Sequence, residues 1–174
     1  MVTLVAPSSA AARDLPATPL PVPAHGPGPW PEYGPDDADV DIAVAKMLLI
    51  EIGFDPHMDL NRPIPFDAQM GHAVRAYQEY AGIAQTSRLD AATWEALSAD
   101  TFGLYRRGSS GLVVEAIQRL LNAKYALHLV EDGLYGPRTE AAVRGAQDDL
   151  GVAVDGVVGP DTFRALISYQ DYDR

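Results

Sequence analysis

Apolar residues recur at helical spacing in six stretches, separated by turns rich in glycine, proline or acid. Ile42, Ala45, Leu48, Leu49 and Ile52 form the first stripe. Acids from Asp36 to Asp41 lead into it and Gly53 follows it, the order expected of a helix start and stop. A second helix is predicted over Ala68 to Ala81, with Met70, Val74 and Tyr77 on one face. A third is predicted from about Asp90 to Leu97, with Trp94 and Leu97 facing inward. Gly108-Ser109-Ser110-Gly111 breaks the chain before Leu112, Val113, Ile117, Leu120 and Leu121. Two shorter helices follow, one carrying Ala142, Val143 and Ala146, the other Phe163, Leu166 and Ile167.

The last two helices are each introduced by the same unit, D-G-x-φ-G-P-x-T, where φ is apolar or aromatic. It occurs at Asp132-Gly133-Leu134-Tyr135-Gly136-Pro137-Arg138-Thr139 and again at Asp155-Gly156-Val157-Val158-Gly159-Pro160-Asp161-Thr162. Asp-Gly makes a tight turn, because glycine tolerates positive φ and the aspartate side chain bonds nearby backbone. The second glycine ends a short extended piece, and proline then takes the first helical position. The threonine falls in the first turn, where its hydroxyl can meet a free amide or a carbonyl of the preceding turn. Several of Gly133, Gly136, Gly156 and Gly159 are expected at positive φ.

The two halves of the chain repeat one another. Ala73-Val74-Arg75-Ala76-Tyr77-Gln78 aligns with Ala142-Val143-Arg144-Gly145-Ala146-Gln147. Gly82-Ile83 aligns with Gly151-Val152, and Thr93-Trp94-Glu95-Ala96-Leu97 with Thr162-Phe163-Arg164-Ala165-Leu166. The register is constant across all three matches, the signature of a duplicated unit. In the first half the Asp-Gly turns are replaced by Pro65-Phe66-Asp67 and Ser87-Arg88-Leu89-Asp90.

The second half resembles the small three-helix peptidoglycan-binding domains appended to cell-wall hydrolases. The resemblance is carried by Gly108, Gly111, Val114, Ile117-Gln118, Leu121, Asp132-Gly133, Tyr135-Gly136, Thr139, Ala142-Val143, Gln147, Gly151, Asp155-Gly156, Val158-Gly159, Thr162 and Leu166. Such domains usually have a large aromatic before Gln147. Here that residue is Ala146, which predicts a thinner core or another filler; the first half keeps the aromatic as Tyr77. The expected fold is all-α, with two tandem three-helix units at roughly 38–98 and 104–168 and almost no sheet. The expected organisation is an arm at 1–35, a degenerate copy at 36–99 and an intact copy at 104–170.

Residues 1–35 are rich in proline, alanine and glycine. They predict an extended arm with no core of its own, ordered only by a partner or neighbouring subunit, with Trp30 and Tyr33 as anchors and Trp30 able to hold the arm's end against the first domain. Met1 to Ala12 lacks an early Lys or Arg and is interrupted by Pro7, so it does not read as a signal peptide.

Charge and composition narrow the function. The net charge of −11 argues against nucleic acid as a partner. No apolar run is long enough to span a bilayer. Cysteine is absent, and the four histidines (His25, His57, His72, His128) form no metal pattern, so no metal or cofactor is expected. Residues 1–103 hold 5 basic and 14 acidic side chains, a balance of −9; residues 104–174 hold 8 and 10, a balance of −2. The second half is therefore the better partner for ligands bearing carboxylates, and it alone is expected to sediment with wall sacculi when the halves are separated. No carboxylate sits in a catalytic pattern and Ser109-Ser110 lacks a G-x-S-x-G setting, so an enzyme is not expected.

Wall binding implies a shallow groove with aromatics for sugar faces and arginines for carboxylates. Arg106, Arg107, Asn122, Tyr125, Tyr135 and Arg138 are its candidates. Tyr135 also reads as a turn-packing residue, and the arginines as solvated surface. Two functions follow. One is a non-catalytic peptidoglycan-binding protein. The other is a structural subunit of a phage-tail-like or contractile-injection particle, docked through the arm; the missing signal peptide favours it.

Overall fold

The computed structural model describes residues 26–56 and 65–169; most of the arm, residues 1–25, lies outside them. Six helices appear in the expected order: α1 (Val40–Glu51), α2 (Ala68–Tyr80), α3 (Ala91–Thr101), α4 (Leu112–Tyr125), α5 (Pro137–Asp149) and α6 (Pro160–Ser168). Aspartates cap the first three: the side chains of Asp39, Asp67 and Asp90 accept from the backbone N–H of Asp41, Met70 and Thr93. In α5 and α6, proline occupies the first turn behind Gly136 and Gly159. No strand forms among the described residues. Four isolated antiparallel bridges link the turns, and they come in two matched pairs. Tyr33–Leu89 corresponds to Tyr105–Val158, and Ala38–Pro65 to Ser110–Leu134.

The two repeats share one continuous core. The most extensive helix contact is α1 against α4, one from each repeat. This explains why α1 is buried from Asp41 through Leu49. The stripe of Ile42, Ala45, Leu48 and Leu49 covers one side only, but Val44 and Met47 are apolar too, and a helix apolar on all sides is buried on all sides. Ala146 is buried, and the partly buried Leu127, Leu129 and Leu150 pack against the same core.

The segment before Asp36 packs on the helices of both repeats. Trp30 stacks on Trp94 with centroids 5.9 Å apart and planes 8° apart, and lies 6.0 Å from Phe163 of the other repeat. The Arg164 guanidinium sits 5.4 Å from its centroid. The Trp30 indole N–H donates to Glu95 Oε2 and the Trp94 indole N–H to Pro31 O, at 3.0 Å each. Phe102 holds the corresponding place in the second repeat, stacked on Phe163 at 3.9 Å. Residues 26–35 thus belong to the fold rather than drawing their order from outside it. Proline excludes helix and ladder bonds, but it does not stop an extended segment from packing its one large side chain.

A buried ion pair closes the seam between repeats. Lys124 Nζ lies 2.9 Å from Asp41 Oδ1 and also donates to the carbonyls of Ile167 and Tyr169, each at 2.9 Å. Tyr33 Oη donates to Asp41 Oδ2 at 2.8 Å. Burial pushes the Asp41 carboxyl up to about 6, against the opposing pull of Lys124. The folded chain therefore takes up this proton before the unfolded chain does, and stability from this group rises as pH falls from about 6 towards 4. Asp132 and Asp155 act in the other direction. Both are held below the usual carboxylate value of 3.8, so their contribution is lost only below it. The melting temperature should hold or climb between pH 7 and pH 5, and Asp41→Asn should flatten that slope in a thermal-melt series.

Candidate functional site

The D-G units are organised by glutamines. In α5, the Gln147 amide donates to Asp155 Oδ1 (2.8 Å), Val157 O (2.9 Å) and Thr162 Oγ1 (3.2 Å), while its Oε1 accepts from Gly156 N (2.8 Å). Gln118 of α4 repeats the pattern on Asp132, Leu134 O, Thr139 and Gly133 N. Gln78 of α2 makes the same set with Thr86, Arg88 O, Thr93 and Ser87 N. One buried side chain thus fixes the aspartate, the glycine amide and the helix-start threonine of each unit. Lys46 stands at the fourth position, reaching Pro65 O at 3.3 Å and Asp67 at 3.8 Å.

Only the first glycine of each unit needs positive φ: Gly133 at 67° and Gly156 at 71°. Gly136 and Gly159 are extended N-caps with negative φ, contrary to a positive-φ role. In the first repeat, Ser87 takes the left-handed place of Gly156 at 55°, and Asp36, at 71°, that of Gly108. A Cβ on Gly133 would lie 2.9 Å from the Gly111 carbonyl oxygen, so close backbone approach adds to the φ requirement.

The candidate binding residues divide in two. Tyr135 is buried and its hydroxyl donates to Gly156 O at 2.9 Å, joining the first turn to the second. Asn122 is occupied as a clasp: it donates to Leu129 O and Glu131, and accepts from Leu129 N. Tyr125 stacks on Tyr169 with centroids 5.4 Å apart, and burial raises its hydroxyl well above the usual phenol range. Arg106, Arg107 and Arg138 are exposed. Arg107 lies 3.9 Å from Glu140, which pairs with Arg144 at 3.3 Å; Arg144 in turn donates to Val154 O. Arg106 and Arg138 have no side-chain hydrogen bond or ion pair among the described residues.

Beside the second unit lies an open groove of about 550 Å³. Its apolar walls include Leu104, Val152, Val157 and Pro160, and Asp155 and Asp161 supply carboxylates. Leu104 is 66% exposed. Asp155 is ionised, held low chiefly by the Val157 N–H and then by Gln147. The groove therefore suits apolar groups carrying hydrogen-bond donors or amines, while the arginines suit carboxylates. Among the described residues no group of three potential ligands could hold a metal, and no helix is long and apolar enough to cross a membrane.

The family model described as "Putative peptidoglycan binding domain" matches residues 39–97 and 110–166. The chain belongs to this peptidoglycan-binding domain family. Both repeats are members, so the tandem organisation is a duplication within the family. The chain is 33% identical over 112 residues to N-acetylmuramoyl-L-alanine amidase CwlM of Mycobacterium tuberculosis, covering 58% of this chain and 27% of that protein. It is 40% identical over 74 residues to the zinc D-Ala-D-Ala carboxypeptidase of Streptomyces albus G, covering 41% and 29%. A third relative is N-acetylmuramoyl-L-alanine amidase CwlL of Bacillus licheniformis, 41% identical over 71 residues, covering 40% and 20%. The matches thus span under a third of each of these relatives. No solved structure matches significantly.

Proposed function

We propose that this protein is a non-catalytic peptidoglycan-binding module whose second repeat carries the main wall contact. The observation behind this reading is the family match to both repeats, joined to an intact pair of D-G units in the second. The relatives' names place similar segments in amidases and a carboxypeptidase of wall chemistry. The shared segment is a binding domain, and it covers only a fraction of each enzyme. The particle-subunit alternative gains no support from these relatives.

The surface chemistry fits the proposal. A wall stem peptide presents small apolar side chains, carboxylates and an amine or amide on one short ligand. Arg106, Arg107 and Arg138 can meet the carboxylates, and the groove at Leu104, Val152 and Val157 can take the apolar groups, with Asp155 and Asp161 at hand for donors. The shared core rules out testing the halves as separate fragments, so the full chain is the reagent. Reversing all three arginines to Glu should reduce its sedimentation with purified sacculi by about tenfold or more at low salt. Thermal melts should change little, since all three side chains are exposed. Undiminished sedimentation would move the contact away from this edge.

A further inference from the structure

The first repeat carries a second groove, of about 370 Å³, lined by Phe54, Asp55, Gln69, His72, Ala73 and Ala76. Gln69, His72, Ala73, Ala76 and Tyr80 follow one another at helical spacing along a single face of α2. That face runs roughly 16 Å at 1.5 Å per residue. Small residues form the floor, Gln69 and His72 stand at one end, Asp55 adds a carboxylate to the lining, and Phe54 abuts Tyr80, which lies just outside the lining on the same helix face. Phe54 and Tyr80 lie 5.5 Å apart with planes at 52°, and Phe54 meets buried Tyr77 edge-on at 5.5 Å. Tyr80 is 73% exposed.

The fold itself does not need Tyr80, which is exposed, nor an aromatic ring at Phe54. In the second repeat Asp149 stands in the place of Tyr80, and Leu127, which follows left-handed Ala126 as Phe54 follows left-handed Gly53, stands in that of Phe54; the same architecture forms around them. Gln69 and His72 are likewise replaced there by Arg138 and Ala141. Corresponding faces of the two repeats therefore offer different chemistry: Arg138 and Asp149 on one, aromatic rings with Gln69, His72 and the Asp55 carboxylate on the other.

We infer that the α2 groove of the first repeat binds a neutral N-acetylated sugar chain. The C–H face of a pyranose lies flat on an exposed aromatic ring, whose π face is electronegative. Gln69 and His72 offer donors and acceptors for hydroxyl and acetamido groups. The charge of −9 over residues 1–103 disfavours anionic ligands but not a neutral glycan. The choice of a wall-type glycan rests on the wall-binding reading above. The division of labour would give the second repeat the stem peptides and the first repeat the sugar backbone.

The test is titration of the full, isotopically labelled chain with chitotetraose, followed by backbone amide shifts. Shifts should concentrate at Gln69, His72, Ala73, Ala76 and Tyr80. Tyr80→Ala should weaken binding by about fivefold or more while leaving the melt unchanged, the loss expected for one aromatic contact. Three results would overturn the inference. These are no shifts on this face at saturating sugar, unaltered affinity in Tyr80→Ala, and shifts caused instead by a synthetic peptide of the proline-rich residues 14–25. Sacculus sedimentation is read separately. Sacculi retained without any chitotetraose response would sink this inference and leave the wall-binding reading standing; the opposite pattern would do the reverse.

Discussion

Lys124→Met should destabilise the folded chain by about 3–5 kcal/mol at neutral pH, the loss typical of a buried ion pair deprived of one partner. Lys124 reaches from α4 of the second repeat to Asp41 at the start of α1 in the first. Asp41 is fully buried, and Lys124 Nζ also satisfies the carbonyls of Ile167 and Tyr169. Methionine keeps much of the volume but supplies none of the three bonds. It leaves the Asp41 carboxylate in the seam with the Tyr33 hydroxyl donating to it but without its cation. Two controls identify the cause as charge rather than packing. The deficit should shrink at pH 5, where Asp41 is protonated, and the double variant Lys124→Met/Asp41→Asn should recover part of the loss. Denaturant unfolding of the native chain, Lys124→Met, Asp41→Asn and the double variant gives the coupling directly. A single cooperative transition is also expected, because the seam belongs to one core shared by both repeats. Two separated transitions would show that the repeats unfold independently.

Gln147→Leu should cost about 3 kcal/mol, although leucine fits a helix well and adds apolar surface. The substitution deletes four bonds at once and strands the buried Gly156 N–H, and each unsatisfied buried group costs about 1–3 kcal/mol. It also frees Asp155 and Thr162, which border the groove of the second repeat. Sacculus affinity should therefore fall even at temperatures where the variant remains folded. Gln78→Leu should cost a comparable amount of stability but leave the second repeat's groove intact. Equal losses of sacculus affinity in the two variants would contradict the assignment of wall contact to the second repeat.

Much of this fold was legible because helix periodicity and turn chemistry agree. Leu112 to Leu121 and the two D-G-x-φ-G-P-x-T units specify their elements locally, and the repeated register ties the halves together. Periodicity could not show which helices meet across the repeats. The stripe through Ile42 and Leu49 names one buried face of α1, while α1, packed on α4 as well as on α2 and α3, buries Val44 and Met47 too. The acidic run 36–41 suggested helix-start electrostatics throughout. Asp39 does cap α1, but Asp41 is drawn inside by a lysine 83 residues away, a partner no local pattern predicts. Trp30 was assigned to the arm because its neighbours are prolines, yet it stands where the second repeat has Phe102.

The candidate site was less legible than the fold. Recurrence of Gln78 and Gln147 was visible in the repeat, but the role they share with Gln118 needs the turn to be folded beneath them. Tyr135 and Asn122 are polar residues near the intact unit, which made them attractive for ligands. The structure occupies both with internal bonds. The arginines remain at the surface, and the aromatic face at Phe54 and Tyr80 emerges only when α1 and α2 are placed side by side.

The most direct measurement is a sedimentation isotherm of the full chain on purified sacculi, at low and moderate salt, beside the triple arginine-to-glutamate variant. The account predicts saturable binding by the native protein that weakens with salt, and a large loss in the variant without loss of folding. Failure of the native chain to pellet above the level of an unrelated acidic protein would contradict it.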